Sequence, residues 1–295
     1  MLRTRLTDVL GVEHPVMLAG MGGVSYHRLV AAVSEAGGYG CFGASTLPAE
    51  ELRAEMRAAR ALTDKPFGVD LLTALPQRLL EDVALLIDEG ATVFAAGLGI
   101  PHDVISMCHE RNVLVLSMCG KVRHAVAAVE AGCDIVVAQG TEAGGHTGQI
   151  ATLPLVAQVV AAVGDRVPVV AAGGISDGRG LAAALALGAD GVWVGTRFIA
   201  TPEANTGRGF KDALVRSRED DTVISKGFSG KPMRVVRNEV ATHFEQHPEE
   251  LKPFPDQLLA AVEGGWLHLG ANEDTPGVDP GRECFPAGQA VGGID

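Results

Sequence analysis

The sequence predicts an α/β chain folded as a (β/α)8 TIM barrel. Three observations carry this: a strand-and-helix unit that recurs along the chain, a length that suits eight such units, and glycine-rich turns closing the last strands. In the recurring unit a helix ends in glycine or a small residue, a short apolar strand follows, and the strand runs out in glycine or a small polar residue. Glu35-Ala36-Gly37-Gly38 precedes a strand over 39–42, Glu89-Gly90-Ala91 one over 92–95, Glu130-Ala131-Gly132 one over 134–138, and Leu187-Gly188-Ala189 one over 190–194. Glycine at such helix ends supplies the left-handed turn that releases the chain into the strand.

Further apolar runs over 16–18, 67–71, 113–117 and 167–171 bring the strands to about eight. Helix-start signals stand between them: Ser25 before 26–35, Thr46 with Pro48 before 50–62, and Thr152 with Pro154 before 155–163. Strands alternating with helices pair in parallel, and at this length a closed barrel suits them better than an open sheet. After Phe198 the pattern changes. Residues 203–218 read as helix, 220–237 carry Gly227, Gly230 and Pro232, and 238–245 read as helix again. We therefore expect a barrel over 1–200 and an appendage over 201–295 packed on its mouth as lid or pocket wall. The glycine- and proline-rich run 274–295 ends without a clear closing helix, which leaves two alternatives: a barrel without a terminal helix, or a mobile tail.

Composition narrows the function. With 47% hydrophobic residues and positive mean hydropathy the chain can bury a large core. A formal charge of −12 repels nucleic acid and anionic membranes, while an anionic small ligand on backbone amides stays compatible. Cys41, Cys108, Cys119, Cys133 and Cys284 are scattered, form no Cys-x-x-Cys pair and offer no zinc spacing. They read as buried thiols in a reducing cytosol, with no metal site expected. The first fifteen residues contain no long apolar stretch, so no secretory signal is expected and the protein is read as cytoplasmic.

The chemistry gathers at the carboxyl ends of the strands. The strand over 135–138 opens into Gln139-Gly140-Thr141-Glu142-Ala143-Gly144-Gly145-His146-Thr147-Gly148, which sets one imidazole on a flexible, glycine-rich loop. Strand seven ends in Ala171-Ala172-Gly173-Gly174-Ile175 before Ser176-Asp177-Gly178 opens a helix, and strand eight ends in Trp193-Val194-Gly195-Thr196-Arg197. Two amide-rich turns on adjacent strands make a phosphate cradle, the position that barrels commonly use. Strand one ends in Ala19-Gly20-Met21-Gly22-Gly23, where a planar ring can lie against backbone. Platform, histidine loop and phosphate grip match a mononucleotide. Asp177 is expected to stabilise its helix start. His102, His109 and His124 are expected on outer helix faces, and Lys121, Tyr26 and His27 lie near strand ends without an assigned role.

On Glu142-Ala143-Gly144-Gly145-His146, Ala171-Ala172-Gly173-Gly174 and Val194-Gly195-Thr196-Arg197-Phe198, with matching stretches over 15–40, 65–69, 136–148 and 169–198, the chain resembles the nitronate monooxygenase family, once called 2-nitropropane dioxygenases, and the related FMN-dependent enoyl-thioester reductases. The resemblance implies a barrel holding FMN without a covalent link. The phosphate would lie on Gly173, Gly174, Gly195 and Thr196, the ring near Ala19, Gly20, Met21, Gly22, Met118, Gln139, Gly144 and Gly145, and His146 beside the reactive face. Ala172, Trp193, Val194 and Asp70 complete the expected cofactor shell. Departures stand at Leu18 and Ala19, where relatives carry glutamine and glycine, and at Asp70, where they commonly carry asparagine. An ionised aspartate only accepts hydrogen bonds, so Asp70 is expected to face a flavin N–H, a protonated substrate or a cation.

The resemblance implies oxidation of an alkyl nitronate with O2 to a carbonyl compound and nitrite. His146 would take the α-proton of a nitroalkane or, as a cation, stabilise the nitronate. An alternative is an NAD(P)H-dependent reductase of an enoyl thioester or quinone. A third reading, from another class, is a non-catalytic flavin-binding subunit, for which a colourless purified protein would speak. The expected partner is a small-molecule substrate, with a homo-oligomer compatible.

Overall fold

The structure, a computed structural model, describes residues 2–45, 47–72, 79–97 and 100–294. Its strands are β1 (Val16–Leu18), β2 (Gly40–Gly43), β3 (Phe67–Leu71), β4 (Val93–Ala96), β5 (Leu114–Cys119), β6 (Ile135–Gln139), β7 (Gly145–His146), β8 (Val169–Ala172), β9 (Gly191–Val194), β10 (Thr222–Ser225) and β11 (Met233–Val236). Eight of them form one parallel sheet in the order β1-β9-β8-β6-β5-β4-β3-β2. The ends meet through Leu18 N–H donating to Tyr39 O at 2.9 Å and Tyr39 N–H to Val16 O at 2.9 Å, which closes the barrel. The expected TIM barrel is the observed architecture.

Side-chain alternation sorts the core into an inner and an outer layer. Met17, Tyr39, Cys41, Val93, Ala95, Leu116, Ile135, Val137, Val170 and Trp193 fill the barrel. Leu18, Phe42, Phe67, Val69 and Phe94 on one side, and Val136, Ala138, Val169, Val192 and Val194 on the other, pack outward under the helices. The amino-terminal end is plugged by the helix Arg5–Leu10, whose Leu6 and Leu10 join the inner layer. Arg5 fixes this plug by gripping both carboxylate oxygens of Asp190 at 3.0 and 2.7 Å.

The repeat is structural as well as sequential. Gly37, Gly90, Gly132 and Gly188 all sit at φ between +84° and +105°, each between a helix and the next strand. After two of them a carboxylate ties the incoming strand to its neighbour: Asp134 accepts Val115 N–H at 2.8 Å, and Asp190 accepts Val169 N–H at 3.0 Å.

Several local expectations shift. The helix over His27–Glu35 is capped without Ser25, whose buried hydroxyl instead accepts Met21 N–H at 2.8 Å and shapes the turn after β1. Thr46 lies outside the described residues. Thr152 is the first residue of its helix, and Glu142 accepts its N–H at 3.1 Å in the role of a cap. The helix expected from 203 begins at Arg208, because residues 201–206 turn back on themselves through Ala204 N–H to Thr201 O and Thr206 N–H to Ala204 O. Residues 220–237 form the antiparallel hairpin β10–β11. Of the two alternatives for the tail, the structure selects a packed segment without a closing α-helix: Phe285, Ala287, Val291 and Ile294 are buried with Phe210 and Leu214, and Phe285 stacks on Phe210 at 4.5 Å.

Candidate active site

The barrel mouth is made by the carboxyl ends of the strands. Ala19, Ala172, Trp193 and the half-buried Met21 and Met118 form the last tier of the inner layer, an apolar floor. Backbone lies close over this floor near β1, because Gly20 and Gly43 have no side chains. A Cβ on Gly20 would stand 2.3 Å from the Asp70 Cβ, and one on Gly43 2.1 Å from the Met21 carbonyl carbon. Gly22 bridges to Gly43 in parallel fashion, so the turn over 19–22 becomes an extension of the sheet. Val194, expected in the cofactor shell, points its side chain into the outer layer and reaches the mouth only through its carbonyl, which accepts Ala19 N–H at 2.8 Å.

Asp70 sits on β3 in register with Gly43 and Ala95, facing inward near the mouth. It is 9% exposed, and among the described residues its carboxyl has no hydrogen-bond or ion-pair partner. Burial raises its pKa from 3.8 to about 8. The group is therefore a neutral carboxylic acid at pH 7. In that form the group has one proton available to donate, as an asparagine amide does, in place of the ionised acceptor expected.

His146 is brought over the mouth by a pairing that joins barrel and appendage. β7 is the edge strand of a three-stranded antiparallel sheet β10-β11-β7, with His146 opposite Met233 and Gly145 opposite Arg234. The Gln139 side-chain amide donates to His146 O at 2.8 Å, so a residue expected beside the ring system also anchors the loop. The imidazole keeps one side open to solvent, while Nε2 lies 2.9 Å from the Ser229 hydroxyl. Desolvation by the surrounding chain and the Lys231 ammonium lower its pKa, which leaves the ring neutral, a base, at pH 7.

The expected phosphate cradle falls at the ends of β8 and β9, paired through Ala172 and Trp193. Gly173 and Gly174 take φ of +101° and +72°, a reversal that favours glycine and turns the chain outward at the strand end. Among the described residues, the N–H groups of Gly174, Ile175, Gly195 and Thr196 donate to no backbone carbonyl or side chain. Orphan amides converging at two strand ends suit a phosphate dianion. Thr196 Oγ1 accepts Gly288 N–H at 2.9 Å and retains its own proton to donate. The helix Gly178–Ala186 adds no further seat, because Asp177 already caps it by accepting Arg179 and Gly180 N–H at 2.9 and 3.1 Å.

The appendage supplies groups the motifs did not reveal. Arg234 is buried and donates through Nε to Thr141 O at 2.9 Å and through Nη1 to Thr222 Oγ1 at 3.2 Å, clamping the hairpin to the histidine loop. The tail threads Ala287 and Gly288 against Gly144, where a Cβ would meet their backbone at 2.8 Å, while Gly145 next to it faces open space. The signal for the hairpin was present: alternating Thr222-Val223-Ile224-Ser225 and Met233-Arg234-Val235-Val236 flank a turn-forming Ser229-Gly230-Lys231-Pro232.

His102 opens an outer helix, and His109 bonds Asp134 at 2.9 Å. His124 is half-buried rather than solvated, His27 bonds Glu55 at 2.8 Å, and Lys121 stands at the N-cap of its helix. All five cysteines are free and buried.

A parallel barrel with a neutral histidine, an apolar floor and unpaired amides at its mouth has the frame of an oxidoreductase, and the comparisons with known proteins agree on that class. The chain belongs to the nitronate monooxygenase family, whose model matches residues 3–80 and 76–263. Flavin dependence is expected for this family. Among its relatives, a (3aS,4S,5R,7aS)-5-hydroxy-7a-methyl-1-oxo-octahydro-1H-indene-4-carboxyl-CoA dehydrogenase of Mycobacterium tuberculosis is 41% identical over 245 residues, 83% of this chain and 69% of that protein. A probable nitronate monooxygenase of Staphylococcus saprophyticus is 34% identical over 324 aligned positions, 91% of each chain. Among solved structures, FabK from Thermotoga maritima superposes with a TM-score of 0.89 at 37% identity, covering 100% of this chain and 91% of that one. No helix among the described residues is long and apolar enough to cross a membrane.

Proposed function

We propose that the protein is an FMN-dependent nitronate monooxygenase, which oxidises alkyl nitronates with O2 to a carbonyl compound and nitrite. The observation that carries this reading is His146, a neutral imidazole held over the mouth by β7 and Ser229. Bound flavin would supply the redox chemistry, accepting electrons from the substrate and passing them to O2. The amides of Gly174, Ile175, Gly195 and Thr196 would hold its phosphate, and Ala19, Met21, Met118, Ala172 and Trp193 would bear its ring system. Asp70, protonated, would donate a hydrogen bond to an oxygen or unprotonated nitrogen above the floor. His146 would take the α-proton from a neutral nitroalkane and, once charged, stabilise the anion it leaves.

A second reading, a reductase or dehydrogenase of a thioester, is favoured by the 41% identity to a protein named for a carboxyl-CoA substrate. A thioester α-carbon is a carbon acid, as a nitroalkane is, so the same base would serve. Anaerobic mixing separates the two. Bleaching of the flavin by propionate 3-nitronate but not by NAD(P)H supports the monooxygenase, whereas bleaching by NAD(P)H or an acyl-CoA alone moves the assignment to the second reading.

A further inference from the structure

The two nitrogens of the His146 ring are not equivalent. Nε2 lies 2.9 Å from Ser229 Oγ, and Ser229 is 2% exposed on the turn between β10 and β11. The same oxygen receives Lys231 N–H at 3.3 Å, and its own O–H has the Lys231 carbonyl as acceptor, also at 3.3 Å. A serine hydroxyl has one proton and two lone pairs. With its proton directed to Lys231 O and one lone pair taken by Lys231 N–H, what remains for the imidazole is an acceptor.

The turn that presents this hydroxyl is firmly built. Gly230 sits at φ +79°, its N–H donates to Lys226 O at 2.8 Å, and a Cβ there would stand 2.7 Å from Phe254 N. Ser229 thus has a fixed backbone, with a carbonyl within reach of its hydroxyl proton.

We propose that Ser229 is a positioning residue that holds His146 as its Nε2–H tautomer, so that Nδ1 carries the lone pair which takes the substrate's proton. The inference rests on the reading of His146 as the base. Its consequence is that the hydrogen bond keeps one sense throughout turnover: Nε2–H donates to Ser229 in the neutral ring, and donates still in the imidazolium formed when Nδ1 is protonated. Neither ring nor hydroxyl has to reorganise as charge develops, which is the advantage of a preset dipole. Serine is neutral, so it orients the ring without raising its basicity as a carboxylate would, in keeping with the lowered pKa of His146.

The test is a long-range 1H–15N correlation spectrum of the oxidised, flavin-loaded enzyme carrying 15N-histidine, with the His146 signals identified by their absence from His146→Ala. The expected spectrum shows Nε2 protonated and Nδ1 unprotonated. Ser229→Ala should shift both nitrogens toward the averaged positions of mixed tautomers and lower kcat about tenfold with KM little changed, the effect of losing one orienting hydrogen bond. Ser229→Thr, which keeps the hydroxyl, should restore the wild-type pattern. A wild-type ring protonated at Nδ1, or a Ser229→Ala ring with unchanged tautomer, overturns the proposal. The spectrum is read without substrate, so the two failures differ: full turnover in His146→Ala sinks the base, while the wrong tautomer in an enzyme that still needs His146 sinks only the role of Ser229.

Discussion

At Asp70 a carboxyl group stands inside a barrel, in register with Gly43 and Ala95, where desolvation holds it protonated. Its titration has a defined sign. The folded chain keeps the proton to about pH 8 and the unfolded chain releases it near 3.8, so the native state binds the extra proton and stability falls as pH rises through that window. Asp70→Asn removes this dependence. Denaturant midpoints of wild type and variant should lie closest near pH 4 and diverge toward pH 9 in favour of the variant; parallel curves would refute the assignment. At His146 the expectation concerns chemistry alone. His146→Ala should retain its flavin absorbance and lose turnover by about 10²-fold or more, the scale of a general base. The imidazole was legible in the sequence from its place after strand six of the repeat, beside the glycine turns that end strands seven and eight, and not from the loop alone. Ser229 was not, since a serine in a turn is ordinary until the fold sets it 2.9 Å from that imidazole.

Among the elements, the histidine loop is shared property. β7 begins as the loop after β6 and ends as the edge of a sheet whose other strands come from residues 222–236. Arg234 holds the two together from a buried position, and its guanidinium is paired with a carbonyl and a hydroxyl rather than with a carboxylate in contact. Arg234→Met should therefore leave Thr141 O and Thr222 Oγ1 without their donor, cost about 2–3 kcal/mol in denaturant unfolding, and lower kcat because β7 loses its clamp. A variant with wild-type stability and rate would show that β7 is held by its ladder alone. The barrel strands, by contrast, were readable within one or two residues, because glycine at the left-handed helix ends and the apolar runs between them are local signals. The hairpin is recognised by pairing with a loop some 90 residues away in sequence, and no local periodicity reports that partner.

For the whole molecule, the tail is the closing piece. Phe285, Ala287, Val291 and Ile294 are buried against Phe210, Leu214 and Ile199, while Gly288 N–H reaches Thr196 and Gln289 N–H reaches Glu142 O at 2.9 Å each. It links the outer core, the histidine loop and the turn at Thr196 in one pass. Deleting residues 284–295 should lower the melting temperature by more than any single substitution above, and should release flavin on gel filtration under conditions in which the full chain keeps it. Retention of the flavin by the shortened chain would show that the cradle forms without its cover. Glycine and proline content left open whether this tail is mobile or merely lacks a closing helix, and packing decides it: apolar residues separated by glycine fill a groove without forming a regular α-helix.

The sequence by itself determined the barrel, its repeat and the placement of His146 and the glycine turns at the strand ends, because each depends on local backbone preference or on the alternation of apolar residues. Only the tertiary structure decided the protonation of Asp70, the outward turn of Val194, the clamp at Arg234 and the Ser229 contact. Each of these depends on what surrounds a side chain in space, on desolvation, a neighbouring donor or a free lone pair, and residues distant in sequence supply those surroundings.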